Sequence, residues 1–251
     1  MNIEQCIVEL NALHMPTRPQ GRNVTPMPFG PRSEATDPSA AVVDSTVVAF
    51  VDGISPANKG AAQNITLLAQ MSADATFPEE NQRVEWYSHY VKVMKMGGFI
   101  VTNNPRERYT PRGLEFEVNE VVLELISAIA GPNKGVFLRL AGTTLDALRK
   151  NDGARLRFER KSVSQQSSNF QIMPCAESAE GNLVCLMACF NLVRKETSSG
   201  FWFVKWKNEH LDVHRSLEQM ELNYSHYQRV KAIIEQKLFE SAEDFFENLP
   251  L

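Results

Sequence analysis

Cysteine is scarce in this chain of 251 residues, and no two of its four cysteines form a CxxC pair. Cys6, Cys175, Cys185 and Cys189 therefore supply neither a disulfide framework nor the ligand spacing of a structural zinc site, and reduced, partly buried thiols are expected. Phosphate cradles are missing as well. No GxGxxG, Walker loop, GxSxG elbow, HExxH or EF-hand loop is present, and Gly53–Gly60 and Gly131–Gly135 have the wrong order for a nucleotide loop. Positive charge is not in excess: the formal net charge is −4 and the pI about 5.8, which excludes generic attraction to a nucleic-acid backbone. Long apolar runs are missing too. The longest, Leu183 to Phe190, is less than half of what a helix needs to span a bilayer. The start, Met1-Asn2-Ile3-Glu4-Gln5-Cys6, has neither the basic nor the apolar region of a secretory signal. The chain is expected in the cytoplasm as synthesised, with any release by a non-classical route, and no cofactor or metal is expected.

What is present is an ordinary globular composition, 43% hydrophobic and 22% charged. Ile3, Cys6, Ile7, Leu10 and Leu13 follow the spacing of an amphipathic helix. Pro16 to Pro38 then holds six of the thirteen prolines, which block both helix and ladder hydrogen bonds. That stretch reads as a loop or tether, or as an arm that orders on a protein partner. Val42 to Val51 is rich in β-branched residues and reads as the first strand, ending at Asp52-Gly53. Ser55-Pro56 supplies an N-cap and a first-turn proline for a helix bearing Ala61, Ile65, Leu68 and Met71. A second helix carries Val84, Tyr87, Val91 and Met94 and stops at Gly97-Gly98. Phe99 to Thr102 is a short strand. A further helix pair carries Val118, Val121, Val122, Leu125, Ile126 and Ile129, then Val136, Leu140 and Ala147, with Gly131-Pro132 between them.

After Asn151-Asp152-Gly153 the spacing of Leu156 and Phe158, then of Phe170 and Ile172, predicts strands. Leu183–Val193 is almost continuously apolar, as in a central strand covered on both faces. Phe201–Lys207 is read as its aromatic neighbour, with a further strand at roughly Leu211–Leu222. Short connections favour antiparallel pairing. Tyr224 to Asn248 returns to helical period with Tyr227, Val230, Ile234 and Leu238, then Phe245, Phe246 and Leu249. The expected architecture is α+β: residues 1–40 form a helix and proline-rich arm, and 41–251 form a single domain, a mainly antiparallel sheet covered by helix hairpins.

Three features bear on function. On a strand, Trp202, Val204 and Trp206 share one face, with Lys205 and Lys207 on the other. Aromatics ending in lysines suit a membrane interface, where rings and snorkelling amines sit at headgroup level; a core strand ending at the surface is the competing reading. Arg149 to Lys161 holds Arg149, Lys150, Arg155, Arg157, Arg160 and Lys161 against Asp152 and Glu159, a local excess that fits anionic headgroups or, more plainly, a solvated edge. Cys185 and Cys189 share a face of the apolar strand, where a thiol is a candidate for acylation or oxidation or is simply a small hydrophobe. Cys175 and Cys185 flank the turn at Ser178-Ala179-Glu180-Gly181, a spacing that allows them to meet across a hairpin. His210 and His214, with Glu209 and Asp212, do not close a metal site. The carboxylate pairs Glu79/Glu80, Glu115/Glu117 and Glu243/Asp244 read as solvated or dipole-complementing charges.

The segments Phe50-Val51-Asp52-Gly53-Ile54-Ser55, Leu67-Leu68-Ala69-Gln70 and Trp86-Tyr87-Ser88-His89-Tyr90 resemble a largely uncharacterised family of bacterial and fungal proteins, from about Val42 onward. That family brings no catalytic residues to carry over. In element order the chain also resembles the single-domain cytolytic toxins of the Cyt type and the related Evf virulence factor. The second resemblance implies helix layers able to lift off a sheet and meet lipid. The resulting expectation is a non-enzymatic protein that meets a membrane or a partner, with an assembly module using the Pro16–Pro38 arm, or an enzyme without local motifs, as alternatives. Oligomeric state stays open.

Overall fold

The computed structural model describes residues 2–16, 38–103, 107–109, 115–163, 167–178, 180–194, 206–207, 211–241 and 246–249. The proline-rich arm, at 17–37, lies outside the described residues. Helix α1 (Ile3–Asn11) opens with a reciprocal capping box between Asn2 and Gln5 and buries Cys6 and Leu10. Next come β1 (Ser39–Val43) and β2 (Thr46–Phe50), an antiparallel hairpin where one long strand was expected. The chain reverses at Asp44-Ser45, with Asp44 at a φ of 54°, a region that Asp tolerates better than most residues. Nothing in the β-branched run on either side announces that break.

Ser55 caps α2 (Pro56–Thr76) by accepting from the Asn58 N–H at 3.2 Å, with Pro56 at the first helical position. Helix α3 (Arg83–Gly97) packs antiparallel to it, and at the crossing a Cβ on Gly97 would fall 2.5 Å from Ile65 Cγ2, so only glycine fits this approach. The chain continues through β3 (Phe99–Asn103), β4 (Glu107–Tyr109), β5 (Glu115–Phe116), α4 (Val118–Ile129) and α5 (Lys134–Lys150).

The segment after Asn151 is helical. In α6 (Asp152–Ser162) the Asn151 side chain accepts from the Ala154 N–H at 3.0 Å, Asp152 lies in the first turn, and Arg160 and Lys161 lie in the last. The buried set is Ala154, Phe158 and Ser162, spaced by four, while Leu156 is 53% exposed. The expected period-two pair of Leu156 and Phe158 thus splits, one side chain out and one in. From there β6 (Ser167–Glu177), β7 (Leu183–Arg194), β8 (Trp206–Lys207) and β9 (Leu211–Leu222) follow, then α7 (Tyr224–Ser241) and β10 (Phe246–Leu249). The last element is a third correction: Phe246 and Leu249 do not extend the terminal helix but pair with β1 as an edge strand.

The main sheet runs β10-β1-β2-β6-β7-β9-β3, with β4 also paired to β9. It is antiparallel except for the β2–β6 pair. The fold is α+β, and Leu183–Val193 is indeed its covered centre. Alternation along the strands sends two side-chain sets to opposite faces. One set, including Val48, Phe50, Met173, Cys175, Cys185, Met187, Cys189 and Met220, packs under α1, α2, α3 and α7. The other, including Val47, Phe170, Ile172, Leu186, Phe190 and Leu217, packs under α4, α5 and α6. Each fully buried Phe, Leu or Met contributes about 1.5–3 kcal/mol relative to exposure. The neighbour of β7 on its second side is β9, which pairs with it along eleven residues; Trp206–Lys207 pairs instead with Glu115–Phe116 in a separate two-stranded sheet, because that edge of β7 is already taken.

Candidate functional site

Along the α3 face of the sheet, side chains change from apolar to polar in rows that cross three strands. Cys175, Cys185 and Met220 form one row. Met187 pairs with Glu218, Gln171 with Cys189 and Cys189 with Ser216, and the last row is Asn169, Asn191 and His214. Helix α3 lies over the polar end with Arg83, Trp86 and Tyr87. Tyr87 donates its hydroxyl to Glu218 Oε1 at 2.5 Å, and Glu218 is 1% exposed. Burial, followed by the nearby Cys189 and Glu218, pushes the Tyr87 phenol far above its ordinary range. Asn191 Nδ2 donates to Asn169 Oδ1 at 2.7 Å. At the hairpin turn, Thr46 gives its one hydroxyl proton to Gln171 Oε1 at 2.8 Å and receives the Gln70 amide at 3.1 Å, and Gln70 also meets the Ser45 hydroxyl.

The crevice among these rows has a volume of about 30 Å³. That is space for one or two waters and not for an organic substrate. Its thiol is also unsuited to nucleophilic work. Burial first, and the Glu218 charge second, hold the Cys189 thiol well above its usual pKa, so it stays protonated. Acylation or oxidation at Cys185 or Cys189 in the folded chain meets the same obstacle of access, since both are buried. Cys175 and Cys185 are directly opposed across β6 and β7, with Sγ atoms 2.7 Å apart.

The basic stretch spans the end of α5 and most of α6. Arg155 pairs with Asp152 at 2.7 Å and Glu159 at 3.7 Å. Lys161 reaches the buried Asp44 at 3.3 Å. Desolvation raises the Asp44 carboxyl and the Lys161 ammonium partly offsets it. Arg149 sits 3.6 Å from Glu117. Arg157 is half-buried, whereas Lys150, Leu156 and Arg160 face outward. Asp74 accepts from Trp86 Nε1 at 2.7 Å. Desolvation by the surrounding chain and then the Asp44 charge push it up to about 6; since the residue is exposed, solvent moderates the first effect.

Of the expected aromatic surface, Trp202 and Lys205 lie outside the described residues, as do the side chains of Trp206 and Lys207. His210 is outside too, while His214 is half-buried on β9 opposite Asn191. Among the described residues no cluster of three His, Cys, Asp or Glu side chains has metal-holding geometry, and no helix is long and apolar enough to cross a membrane. A second cavity, of about 480 Å³, opens beside α5 between Pro38, Val51, Asp52, Val136, Arg139, Leu140 and Thr143. Sequence reasoning missed the polar rows, yet their signal was present: Asn191 continues the odd-numbered parity of Cys185, Met187 and Cys189, and so belongs to the same covered face.

No family model matches the chain, and no curated protein matches it. Among solved structures the chain is similar to a delta-endotoxin, at 13% identity over 82% of this chain and 88% of that one, with a TM-score of 0.44. It is also similar to the Evf virulence factor, at 10% identity over 97% and 92%, with a TM-score of 0.38. Both likenesses are distant. They are the two proteins that the order of elements had suggested.

Proposed function

We propose that this chain is a non-enzymatic interaction protein, toxin- or virulence-like in its mode of action, that docks on an anionic membrane surface through α6. The observation that carries the reading is the outward stripe of that helix. Leu156, 53% exposed, lies one turn before the exposed Arg160 on α6, and with Lys150 at the end of α5 it falls in a segment, 149–161, with an excess of four positive charges in a chain whose net charge is −4. An exposed apolar side chain with a cation one turn away suits the headgroup boundary, where each basic residue near an anionic surface contributes roughly 1 kcal/mol; Asp152 and Glu159 on the same side are engaged by Arg155. Arg155 and Lys161 are held by carboxylates of the chain itself and contribute less. From the sequence alone, Trp202 and Trp206, with Lys205 and Lys207, are further candidates for the same kind of contact. The small volume of the polar crevice and its protonated thiol argue against catalysis at that crevice.

Co-sedimentation of the full chain with phosphatidylcholine vesicles, with and without phosphatidylserine, tests the reading. Pelleting is expected only with the anionic lipid, falling with salt and lost in Lys150→Glu/Arg160→Glu. No pelleting with either composition overturns it. Release of an entrapped dye by the same vesicles separates permeabilisation from docking.

The groove beside α5 favours a second reading, a protein-binding module that uses the Pro16–Pro38 arm, because Pro38 forms part of its wall and Val51, Val136 and Leu140 offer it apolar surface. Light scattering of the full chain and of an arm-deleted chain tests this, and an unchanged monomer argues against an assembly arm.

A further inference from the structure

The opposed cysteines occupy a specific kind of ladder position. Cys175 C=O accepts from the Val51 N–H at 3.1 Å, so the backbone groups of Cys175 face β2 and not β7. The Cys175/Cys185 pair is therefore a non-hydrogen-bonded pair of the β6–β7 ladder, the narrow kind in which Cα atoms lie about 4.5 Å apart. That separation falls within the range that disulfides span, about 4.4–6.8 Å. The sulfurs already approach to 2.7 Å, Cys185 as donor. Neither residue has any exposed surface.

A second observation lies one residue away. Pro174 sits mid-strand, and by alternation its backbone faces β7, where it has no N–H to give. The ladder beside the cysteines is one bond short, and β6–β7 pairing is interrupted between Ile172↔Ala188 and Cys175↔Cys185. Beyond the cysteines the hairpin is closed by the Ser178 N–H, which bonds the Asn182 carbonyl at 2.8 Å. The two strands are thus positioned on both sides of a place where the backbone alone holds them less well.

We propose that Cys175 and Cys185 are a disulfide site, closed when the chain folds in the presence of a small-molecule disulfide or a disulfide oxidoreductase. One cysteine thiolate attacks a sulfur of the oxidant, forming a mixed disulfide and expelling one thiolate. The second cysteine thiolate then attacks the protein sulfur of that mixed disulfide and expels the other. The cysteine pair loses two electrons and two protons, and the oxidant's disulfide is reduced to two thiols. Folding is the step at which this is decided. Once the sulfurs are covered by the helices on this face of the sheet, neither oxidant nor reductant reaches them without local opening, so the chain keeps the redox state in which it folded. Cys189 and Cys6 have no opposed sulfur in the fold and stay as thiols.

The test uses the full chain, unfolded and reduced in urea, then refolded either in dithiothreitol or in a mixture of reduced and oxidised glutathione. Free thiols are alkylated in denaturant, so that buried ones react too, and mapped by mass spectrometry without reduction. From the glutathione buffer we expect alkylation at Cys6 and Cys189 only, and a linked peptide pair holding Cys175 and Cys185, lighter by two hydrogen atoms. The melting temperature should be about 5–10 °C above that of the chain refolded in dithiothreitol. Cys189→Ala should give the same linked pair. Four alkylated thiols from the glutathione buffer, or a bridge that includes Cys6 or Cys189, overturns the proposal.

Discussion

The two faces of the sheet are built from the same strands and solve burial differently. Under α4, α5 and α6 the sheet is dry: Phe170 stacks on Phe190 at 4.7 Å and meets Phe158 edge-on at 6.1 Å, with Ile172, Leu186 and Leu217 around them. Under α2 and α3 the apolar packing is interrupted by Thr46, Gln70, Gln171, Glu218 and three cysteines. The dry face owes its stability to shape and area, the other also to a hydrogen-bond network that must be complete to be neutral in cost. Substitutions and pH should therefore act on them in different ways.

The largest effect is expected on the dry face. Phe170→Ala removes the middle ring of the three and leaves a cavity that the strands cannot close, at a cost of about 3–5 kcal/mol in urea unfolding. A loss below about 1 kcal/mol would show that this face repacks and is not the rigid one.

Alkali should find the other face. Burial raises the thiol pKa of Cys175 and Cys189 well above 9.0 in the fold, whereas an unfolded chain ionises them near that value. The folded state then holds protons that the unfolded state releases. Their contribution is fully present below about pH 9 and is lost as pH rises further, with a slope approaching 1.4 kcal/mol per pH unit for each such thiol. Tyr87 and Tyr90, also raised chiefly by burial, add to the loss at higher pH. Urea midpoints of the reduced chain between pH 7 and 10.5 should show this fall. Cys189→Ala should flatten it, while a conservative dry-face change such as Ile172→Val should lower the curve without changing its slope.

Next in size is the bond that ties α3 to the sheet. Tyr87→Phe leaves a buried carboxylate short of the donor at 2.5 Å, which costs about 1–3 kcal/mol. Glu218→Gln in the same background should recover part of this, since a neutral amide is cheaper to bury. Additivity of the two changes in a double-mutant cycle would mean that the hydroxyl and the carboxylate are not coupled.

Much of this contrast was legible in the residues, and where it was not the reason is physical. Leu183–Val193 declares a doubly covered strand because both parities are apolar, and α2 and α3 declare themselves through Ser55-Pro56 and Gly97-Gly98. Asp44-Ser45 lacks a glycine, so the hairpin turn hides inside a β-branched run. In α6, Leu156 and Phe158 mimic a strand because the residue that fixes the helix phase, Ala154, is small. Phe246 and Leu249 fit a helix stripe equally well; what makes them a strand is the free edge of β1, which no local pattern reveals. The basic stretch was visible, but its internal partners Asp44 and Glu117 are distant in sequence. Local spacing carries helix phase and strand parity, while edges and ion pairs are long-range properties.

The smallest effect is expected where the polar face reaches solvent. Helix α1 is tied to α3 by an ion pair between Glu9 and Lys92, whose side chains are 40% and 51% exposed. Water and salt screen such a pair, so Glu9→Gln should change stability by no more than about 0.5 kcal/mol. Leu10 and Cys6 lie fully inside the core that α1 shares with α7, and Lys237 donates to the Asn11 carbonyl at 2.7 Å. These contacts hold the helix whatever happens to the pair. Leu10→Ala should accordingly cost about 2–5 kcal/mol and release protection of the α1 amides in hydrogen exchange, while Glu9→Gln leaves that protection in place. Equal loss of protection in both variants would mean that charge, and not burial, docks α1.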